Sequence, residues 1–264
     1  MKVDINFFPG WKRKAVTFSY DDGALSDCRL EEIFSKYGLK CTYNISSSFI
    51  GRDPAYVGFD WLKELHKKGQ EIACHGRCHQ WMTHWSESMI LSEYSADKEV
   101  LERETESMVF GGAYPFGAYT CGAKKAVAML GLDYMRTTKS TFRFGIPEDF
   151  TEWNPTCHHR DAEALADKFL TEGTDLRLFF IWGHSFEFDR EKNWSLMENL
   201  ANKISSAEDV WYETNIGICR YLQAVRKLRQ SAGGRFFYND SAVDIFMETD
   251  GRRVILHPGF NVIS

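Results

Sequence analysis

Two adjacent carboxylates end a run of β-branched and aromatic residues near the start of the chain. The stretch "TFSYDDG", residues 17–23, places Asp21 directly beside Asp22. Like charges this close repel each other unless a cation or another positive group compensates them. Asp-Gly is also a common turn dipeptide, so the stretch taken alone is typical of a turn. A chemical role for the pair therefore requires partners elsewhere in the sequence.

Two histidines four residues apart are the strongest candidates for those partners. They are His75 and His79 in "CHGRCH", and this spacing lets both bind one cation from a helical turn or a compact loop. Such pairs also occur on solvated helices. A divalent cation held by both histidines and one aspartate would leave the other aspartate free to accept a proton from water. Three protein ligands also leave an open position, as in catalytic zinc sites.

The cysteines around this histidine pair do not indicate haem or a structural zinc site. Cys74 and Cys78 are separated by three residues, whereas haem attachment needs C-x-x-C-H. No second cysteine pair at metal-site spacing is available to complete a four-ligand zinc site. We expect Cys74 to belong to the core, and the seven cysteines, an odd number without a framework pattern, to be reduced thiols.

Segments with strand and helix patterns alternate along most of the chain. The strand-like "AVTFSY" precedes the helical "SDCRLEEIFSKYG", and the same order continues to the helical "NIGICRYLQAVRKLRQ". Strict alternation predicts parallel strands joined by crossover helices. About seven such units in 264 residues favour a closed or nearly closed α/β barrel.

The pattern changes after Gly233 and Gly234. Short segments typical of antiparallel strands follow, with a predicted turn at Asp250 and Gly251. We therefore predict a barrel over residues 1–230 and a small β appendage over residues 231–264, packed on the same domain.

The polar motifs follow the predicted strands. Asp21 and Asp22 come after the first, "CHGRCH" after the third, "AYPFG" after the fourth, and "GHSFEFD" after the apolar "LRLFFIW". Parallel barrels carry their chemistry at the carboxyl ends of strands. Carboxylates and imidazoles are therefore expected to converge on one rim.

Composition excludes some classes of partner. A net charge of -5 provides no basic field for a phosphate backbone, so we expect no nucleic-acid partner. No apolar run approaches the roughly 20 residues that span a bilayer, and the first residues lack the apolar stretch of a secretory signal, which predicts a cytoplasmic protein without a membrane partner. Aromatic residues make up 15% of the chain, enough to line a groove as well as a core. The oligomeric state is not predicted.

Taken together, "TFSYDDG", "HGRCH", "YPFG" and "IWGH" resemble the polysaccharide deacetylases of carbohydrate esterase family four, the group related to nodulation chitooligosaccharide deacetylases. The match runs from Ala15 to about His184. The resemblance implies a deformed (β/α)7 barrel and metal-dependent hydrolysis of an N- or O-linked acetyl group on a carbohydrate. It also implies one divalent metal ion, expected to be zinc, with cobalt, nickel or another divalent ion as alternatives.

The resemblance also assigns roles to residues. It makes Asp21 the general base, His184 the general acid, and Asp22, His75 and His79 the metal ligands. The backbone N–H near Phe116 corresponds to a second donor for the oxyanion. Contacts with substrate are implied for Tyr114, Pro115, Phe116, Trp153 and Trp182.

The chain departs from the family pattern in two places. Family members often carry an arginine that pairs with the base aspartate, two residues before the loop proline, and here that position is Ala113. Either the pKa of Asp21 is higher than usual, or an arginine from elsewhere substitutes, with three candidates: Arg77, Arg136 and Arg160. The aspartate-tryptophan motif that orients the acid histidine and walls the groove is matched only partly by "TEWN", with Trp153 as the wall candidate.

Glu187 and Asp189 lie shortly after His184 and are candidates for orienting it. Ordinary surface acids need no such role, and that is the interpretation we favour from the sequence.

The sequence alone leaves two other functions open. One is a related metal-dependent hydrolase of a formyl group or a cyclic amide. The other is a carbohydrate-binding protein that keeps the fold without turnover, which would require a broken catalytic set. All five side chains with assigned catalytic or metal-binding roles are present, which favours an enzyme.

Overall fold

A curled parallel sheet wrapped by helices forms most of the molecule. The structure is a computed structural model and describes residues 2–263. The strands are β1 Val3–Asp4, β2 Lys14–Asp22, β3 Cys41–Ile45, β4 Glu71–Cys74, β5 Gly111–Ala113, β6 Tyr134–Arg136, β7 Cys157–His158, β8 Arg177–Gly183, β9 Val210–Tyr212, β10 Arg229–Gln230, β11 Phe236–Asn239, β12 Ile245–Thr249, β13 Arg252–Leu256 and β14 Gly259–Val262. The helices are α1 Asp27–Tyr37, α2 Phe59–Lys67, α3 Glu87–Thr105, α4 Cys121–Met129, α5 His159–Thr171, α6 Phe186–Glu191, α7 Trp194–Ser205 and α8 Asn215–Lys227.

The strand order confirms the predicted deformed barrel. Neighbouring strands follow the order β6-β5-β4-β3-β2-β8-β7, and β9 pairs with the start of β2. These pairings are all parallel. Between the two ends of the sheet, Trp153 forms a parallel bridge with Arg136 of β6, and the Thr156 N–H donates to the Phe180 carbonyl of β8. Residues 153–156, called the strap below, thus span the gap between the two ends of the sheet, where a closed barrel would have an eighth strand.

Alternation along β2 explains where its residues lie. Val16 and Phe18 belong to the core between the sheet and the outer helices. Successive strand side chains point to opposite faces, so Thr17 and Asp21 point into the barrel. Both faces are buried, which gives the nearly continuous run of buried residues typical of a parallel strand.

The tail of the chain forms the predicted antiparallel strands. β12 and β13 make a hairpin whose turn residues Asp250 and Gly251 have φ of 47° and 78°, the left-handed values of a two-residue hairpin turn. β10, β11 and β14 form a second small sheet. Ala224 of α8 belongs to the same buried cluster as Phe237 and Met247 of these sheets. The first strand, β1, pairs with β12 of this tail, a pairing that was not predicted.

Other expectations are also tested by the described residues. Cys74 is fully buried, as predicted. The cysteines are free thiols, and Cys121 is exposed. Within residues 2–263, the helices lack the length and apolar character needed to span a bilayer.

Glu71 is a buried carboxyl group at the amino end of β4, away from the rim. It accepts hydrogen bonds from the Thr42 hydroxyl at 2.6 Å, the Tyr134 hydroxyl at 2.8 Å and the Ile216 N–H at 2.9 Å. Desolvation outweighs these hydrogen bonds and raises the pKa of Glu71 to about 7. Its stabilising contribution is therefore complete below the unfolded-state pKa and is lost as the pH rises through about 7.

Replacing Glu71 with Gln should make stability less sensitive to pH. Relative to wild type, we expect the free energy of unfolding of Glu71→Gln to rise by roughly 2 to 3 kcal/mol between pH 5 and pH 8. Urea unfolding at both pH values measures this change. The exposed Glu208→Gln serves as the control and should show no such trend. An equal stability difference for Glu71→Gln at both pH values would contradict the prediction.

Candidate active site

The predicted chemical groups surround a single cavity at the carboxyl ends of the barrel strands. Asp21 and Asp22 end β2, His75 follows β4, and His184 follows β8. The cavity has a volume of about 370 Å³ and is lined by Asp21, His75, His79, Phe116, Thr138, Trp182 and His184. Residues up to 163 positions apart in the sequence therefore meet at this rim.

Asp22, His75 and His79 form a group with the geometry of a metal site. The Asp22 Oδ1 atom lies 3.7 Å from His75 Nε2 and 3.6 Å from His79 Nε2. Zinc bonds of about 2.0–2.2 Å place tetrahedral ligand atoms roughly 3.4 Å apart, close to these separations. Two imidazole nitrogens and one carboxylate oxygen are a donor set that suits a divalent cation such as zinc.

The protonation state of His75 also suits ligation. Its Nδ1 lies 2.9 Å from the Ala113 carbonyl oxygen. A carbonyl can only accept, so Nδ1 carries the hydrogen and Nε2 has a free lone pair facing Asp22. Burial lowers the pKa of His75 despite the nearby charges of Asp21 and Asp22, which favours the neutral form that binds metals.

Unusual backbone angles help to position Asp22 and His79. Asp22 and His79 have φ of 81° and 50°, in the left-handed region that few residues other than glycine occupy. At Asp22 this break in the strand lets two consecutive carboxylates both approach His75, against ordinary β alternation. Strained backbone of this kind clusters at functional sites.

The proposed base, Asp21, is paired with Arg136. The guanidinium Nη2 lies 2.6 Å and 2.5 Å from the two carboxylate oxygens, and the Asn44 amide donates to Oδ1 at 2.9 Å. Burial by itself would raise the pKa of Asp21, but the charge of Arg136, helped by His75, outweighs it and lowers the pKa below its usual value. Asp21 is therefore ionised at neutral pH.

Arg136 occupies the place next to the missing family arginine. In the parallel pairing of β5 with β6, Ala113 is the register partner of Arg136. The Arg136 guanidinium thus reaches Asp21 from β6, the strand next to the one that carries Ala113, at the register position of Ala113. It also lies 4.7 Å from the centre of the Trp182 ring. Of the other two candidate arginines, Arg77 is exposed, and Arg160 contacts Glu187 instead.

His184 also lines the cavity, close to Asp21. Its Nε2 is 3.9 Å from Asp21 Oδ2, and its Nδ1 is 3.4 Å from Glu187 Oε1. Burial favours the neutral ring, but the interaction with Glu187 and the charges of Asp21 and Asp22 prevail and raise the pKa of His184 above its usual value. The raised pKa favours the protonated form of the imidazole that faces the cavity.

Glu187 is not an ordinary surface acid, so the interpretation favoured from the sequence is wrong. Only 9% of its side chain is exposed, and its Oε2 lies 3.1 Å from His158 Nε2 and 3.3 Å from His159 Nε2. Desolvation raises the pKa of Glu187, yet its close contacts with the His158 and His184 imidazoles hold that pKa well below the usual range. Asp189 accepts a hydrogen bond from the Trp194 indole at 2.7 Å and is also bonded to Ser26.

The histidine that supports Glu187 was missed by sequence reasoning. His158 Nδ1 accepts a hydrogen bond from Arg160 Nε at 3.1 Å. The hydrogen of this imidazole is therefore on Nε2, the atom that lies 3.1 Å from Glu187 Oε2. His158 ends β7, a strand of two residues, which is too short to give a pattern. The one available signal is the pair of consecutive histidines before a helix.

The five residues predicted to contact substrate separate into two groups. Phe116 and Trp182 line the cavity. Tyr114 is buried, and its hydroxyl donates to the Thr151 carbonyl at 3.0 Å, while Pro115 is buried behind the loop. Trp153 does not wall the cavity: its ring is 1% exposed, because the strap that closes the sheet carries it into the core, 4.7 Å from the Phe180 ring.

Comparisons with known proteins agree with this architecture. Residues 10–135 match the model of the polysaccharide deacetylase family. A protein from Mycobacterium smegmatis assigned to the polysaccharide deacetylases shares the fold with a TM-score of 0.63 and 16% identity, over 83% of this chain and 93% of that chain. A family 4 acetyl xylan esterase from Clostridium thermocellum, in complex with a cobalt ion, gives a TM-score of 0.56 and 13% identity, over 78% and 90% of the two chains.

A third solved structure shows that the fold alone does not decide activity. A family 4 pseudoenzyme from Bacillus anthracis gives a TM-score of 0.55 and 15% identity, over 80% of this chain and 66% of that chain. No curated protein matches the sequence. The fold is thus that of the family 4 carbohydrate esterases. This fold and the family match over residues 10–135 confirm the resemblance predicted from the motifs.

Proposed function

We propose that this protein is a metal-dependent hydrolase that removes acetyl groups from a carbohydrate. The observation that carries this proposal is the convergence of the Asp22–His75–His79 group, the Asp21–Arg136 pair and His184 on one cavity. A protein that only binds sugars has no need for an ionised carboxylate and a protonated imidazole on either side of a metal site.

Each side chain has a distinct role in this proposal. A divalent cation held by Asp22, His75 and His79 would polarise the acetyl carbonyl and lower the pKa of the attacking water. Asp21, kept ionised by Arg136, accepts the proton that this water loses. A backbone N–H near Phe116 donates to the developing oxyanion.

His184 completes the reaction as the general acid. Its Nε2 faces the cavity and delivers a proton to the departing amine or alkoxide, while Nδ1 lies 3.4 Å from the charged Glu187 Oε1. Glu187 acts as a positioning residue, because it fixes the orientation of the ring and favours its protonated form. Zinc as the native ion and the cytoplasmic location stay predictions.

Acetate release tests the proposed function directly. Protein freed of metal with a chelator should not act on acetylated chitooligosaccharides or xylooligosaccharides. We expect added Zn²⁺, Co²⁺ or Ni²⁺ to restore acetate release. Sugar binding without acetate release under any ion would instead support a binding protein, and turnover of formyl or cyclic-amide compounds alone would support the other hydrolase considered from the sequence.

Glu187→Gln should shift the pH profile of the enzyme. Loss of the charged partner lowers the pKa of His184, so the proton required for leaving-group departure is lost at lower pH. We expect the basic limb of the kcat/KM profile to move down by about one pH unit. Asp189→Asn, two residues away, is the matched control and should leave this limb in place. An unchanged basic limb in Glu187→Gln would exclude the positioning role.

A further inference from the structure

The sheet formed by β10, β11 and β14, called the tail sheet below, exposes apolar side chains on one face. On β11, Phe236 is 42% exposed and Tyr238 is 43% exposed. On β14, Phe260 is 67% exposed and Val262 is 53% exposed. The Phe236 and Phe260 rings stack with their centres 5.6 Å apart. Because contiguous exposed apolar side chains mark interaction sites, this face of the tail sheet is a candidate interface.

The strand β14 is an edge of this sheet, and part of its backbone faces outward. Among residues 2–263, β14 pairs with β11 and with no other strand. The Ile263 N–H donates to the Arg235 carbonyl at 2.9 Å, and hydrogen-bonded pairs alternate with non-hydrogen-bonded pairs along an antiparallel ladder. Phe260 and Val262 are therefore non-hydrogen-bonded positions, whose N–H and C=O groups point away from β11. Such an edge is a template for a further strand.

The β14 edge also lacks the charges found on the other edges of the two small sheets. All four residues of β14 are uncharged. Within the described chain, every other edge strand of these two sheets carries a charged side chain: Asp4 in β1, Arg229 in β10, and Arg252 and Arg253 in β13. Charged side chains on an edge disfavour pairing with another chain. Their absence from β14 leaves nothing to repel an identical edge and nothing to attract an acidic or basic partner.

We propose that β14 pairs with β14 of a second copy of this chain about a two-fold axis. Antiparallel pairing is self-complementary, so one strand supplies both sides of such an interface. With Asn261 on the axis, Phe260 of each copy faces Val262 of the other. This register bonds the outward N–H and C=O groups of both residues in both copies. It also packs together the two apolar side chains of the tail sheet that are most exposed.

The dimer joins two three-stranded tail sheets into one sheet of six strands. β14 contributes no residue to the cavity at the barrel rim, so this inference does not depend on the proposed function.

Sedimentation equilibrium of the full chain tests the pairing. We expect wild type to be dimeric at about 100 µM and to dissociate on dilution, because two four-residue strands make a small interface. Phe260→Asp places a charge beside Val262 of the second copy, and Val262→Pro removes an outward N–H group. Each variant should raise the dissociation constant at least about tenfold. Phe142→Asp, which replaces an aromatic ring that is 56% exposed outside the tail sheet, is the matched control and should dimerise like wild type.

Cross-linking tests the register. In Asn261→Cys the two introduced thiols occupy a non-hydrogen-bonded pair, whose Cα atoms are about 4.5 Å apart, within the range of a disulfide. We expect oxidised Asn261→Cys to form a covalent dimer on a non-reducing gel. Wild type, which has the exposed Cys121, is the control and should not. Circular dichroism confirms that each variant is folded.

Three results would overturn the proposed dimer. The first is a wild type that stays monomeric at about 100 µM. The second is a dimer that neither Phe260→Asp nor Val262→Pro weakens, which would place the contact on another surface. The third is a dimer of folded Asn261→Cys that does not cross-link, which would exclude the two-fold register.

Discussion

Asp21→Asn should reduce kcat/KM for acetate release about 1,000-fold while the protein still binds its metal ion. Asparagine has nearly the same shape as aspartate but cannot accept the proton that the attacking water must lose. Asp21 is not one of the three residues grouped as metal ligands, so metal content should stay at the wild-type level. Acetate release and metal analysis on the same preparation measure both effects.

A loss of stability must be separated from this loss of chemistry. Arg136 is fully buried and bonded to both oxygens of Asp21, so Asp21→Asn leaves a buried charge without its partner, at a cost of about 3–5 kcal/mol. The double variant Asp21→Asn with Arg136→Met removes that charge. We expect the double variant to recover much of the stability and none of the activity. Activity above a tenth of wild type in Asp21→Asn would mean that another group is the base.

His79→Ala should abolish stoichiometric metal binding and, with it, acetate release. Two ligands, Asp22 and His75, would remain of the three, and we expect the affinity for zinc to fall at least about 100-fold. The His79 side chain is 21% exposed and lies on a loop, so the fold should survive its removal. Metal analysis after dialysis and circular dichroism measure the two properties separately.

His84→Ala is the matched control for this variant, because His84 is an exposed histidine five residues further along the same segment. It should keep both its metal and its activity. Stoichiometric zinc in dialysed His79→Ala would show that the ion is held elsewhere, and the mechanism proposed for Asp21 and His184 would then lose its basis.

The sequence predicted the barrel because its signals are local. Alternating strand and helix patterns, the Asp250–Gly251 turn and the motifs at strand ends each depend on neighbouring residues, and each was read correctly. The histidine spacing and the strand end also pointed to His75, His79 and one of the two aspartates. The family resemblance then selected Asp22, which the structure groups with the two histidines. Such features can be predicted from secondary-structure periodicity and from the geometry of parallel barrels.

Features that depend on contacts across the sheet could not be predicted in the same way. Choosing Arg136 required knowing that β6 pairs with β5 and that Ala113 and Arg136 share a register. The role of Glu187 depended on its burial, although its position three residues after His184 on one turn of chain was an available signal. Trp153 was misplaced because a strap that closes a sheet looks like any other loop in sequence.

The pairing of β1 with β12 joins positions separated by about 245 residues: Val3 faces Thr249 and Asp4 faces Glu248. On the ribosome, β1 therefore has no partner until β12 has been synthesised and has emerged. The barrel strands can assemble before then, so the pairing of β1 with β12 forms late in folding. Ribosome-stalled chains ending before residue 245 should accordingly leave residues 3 and 4 open to proteases.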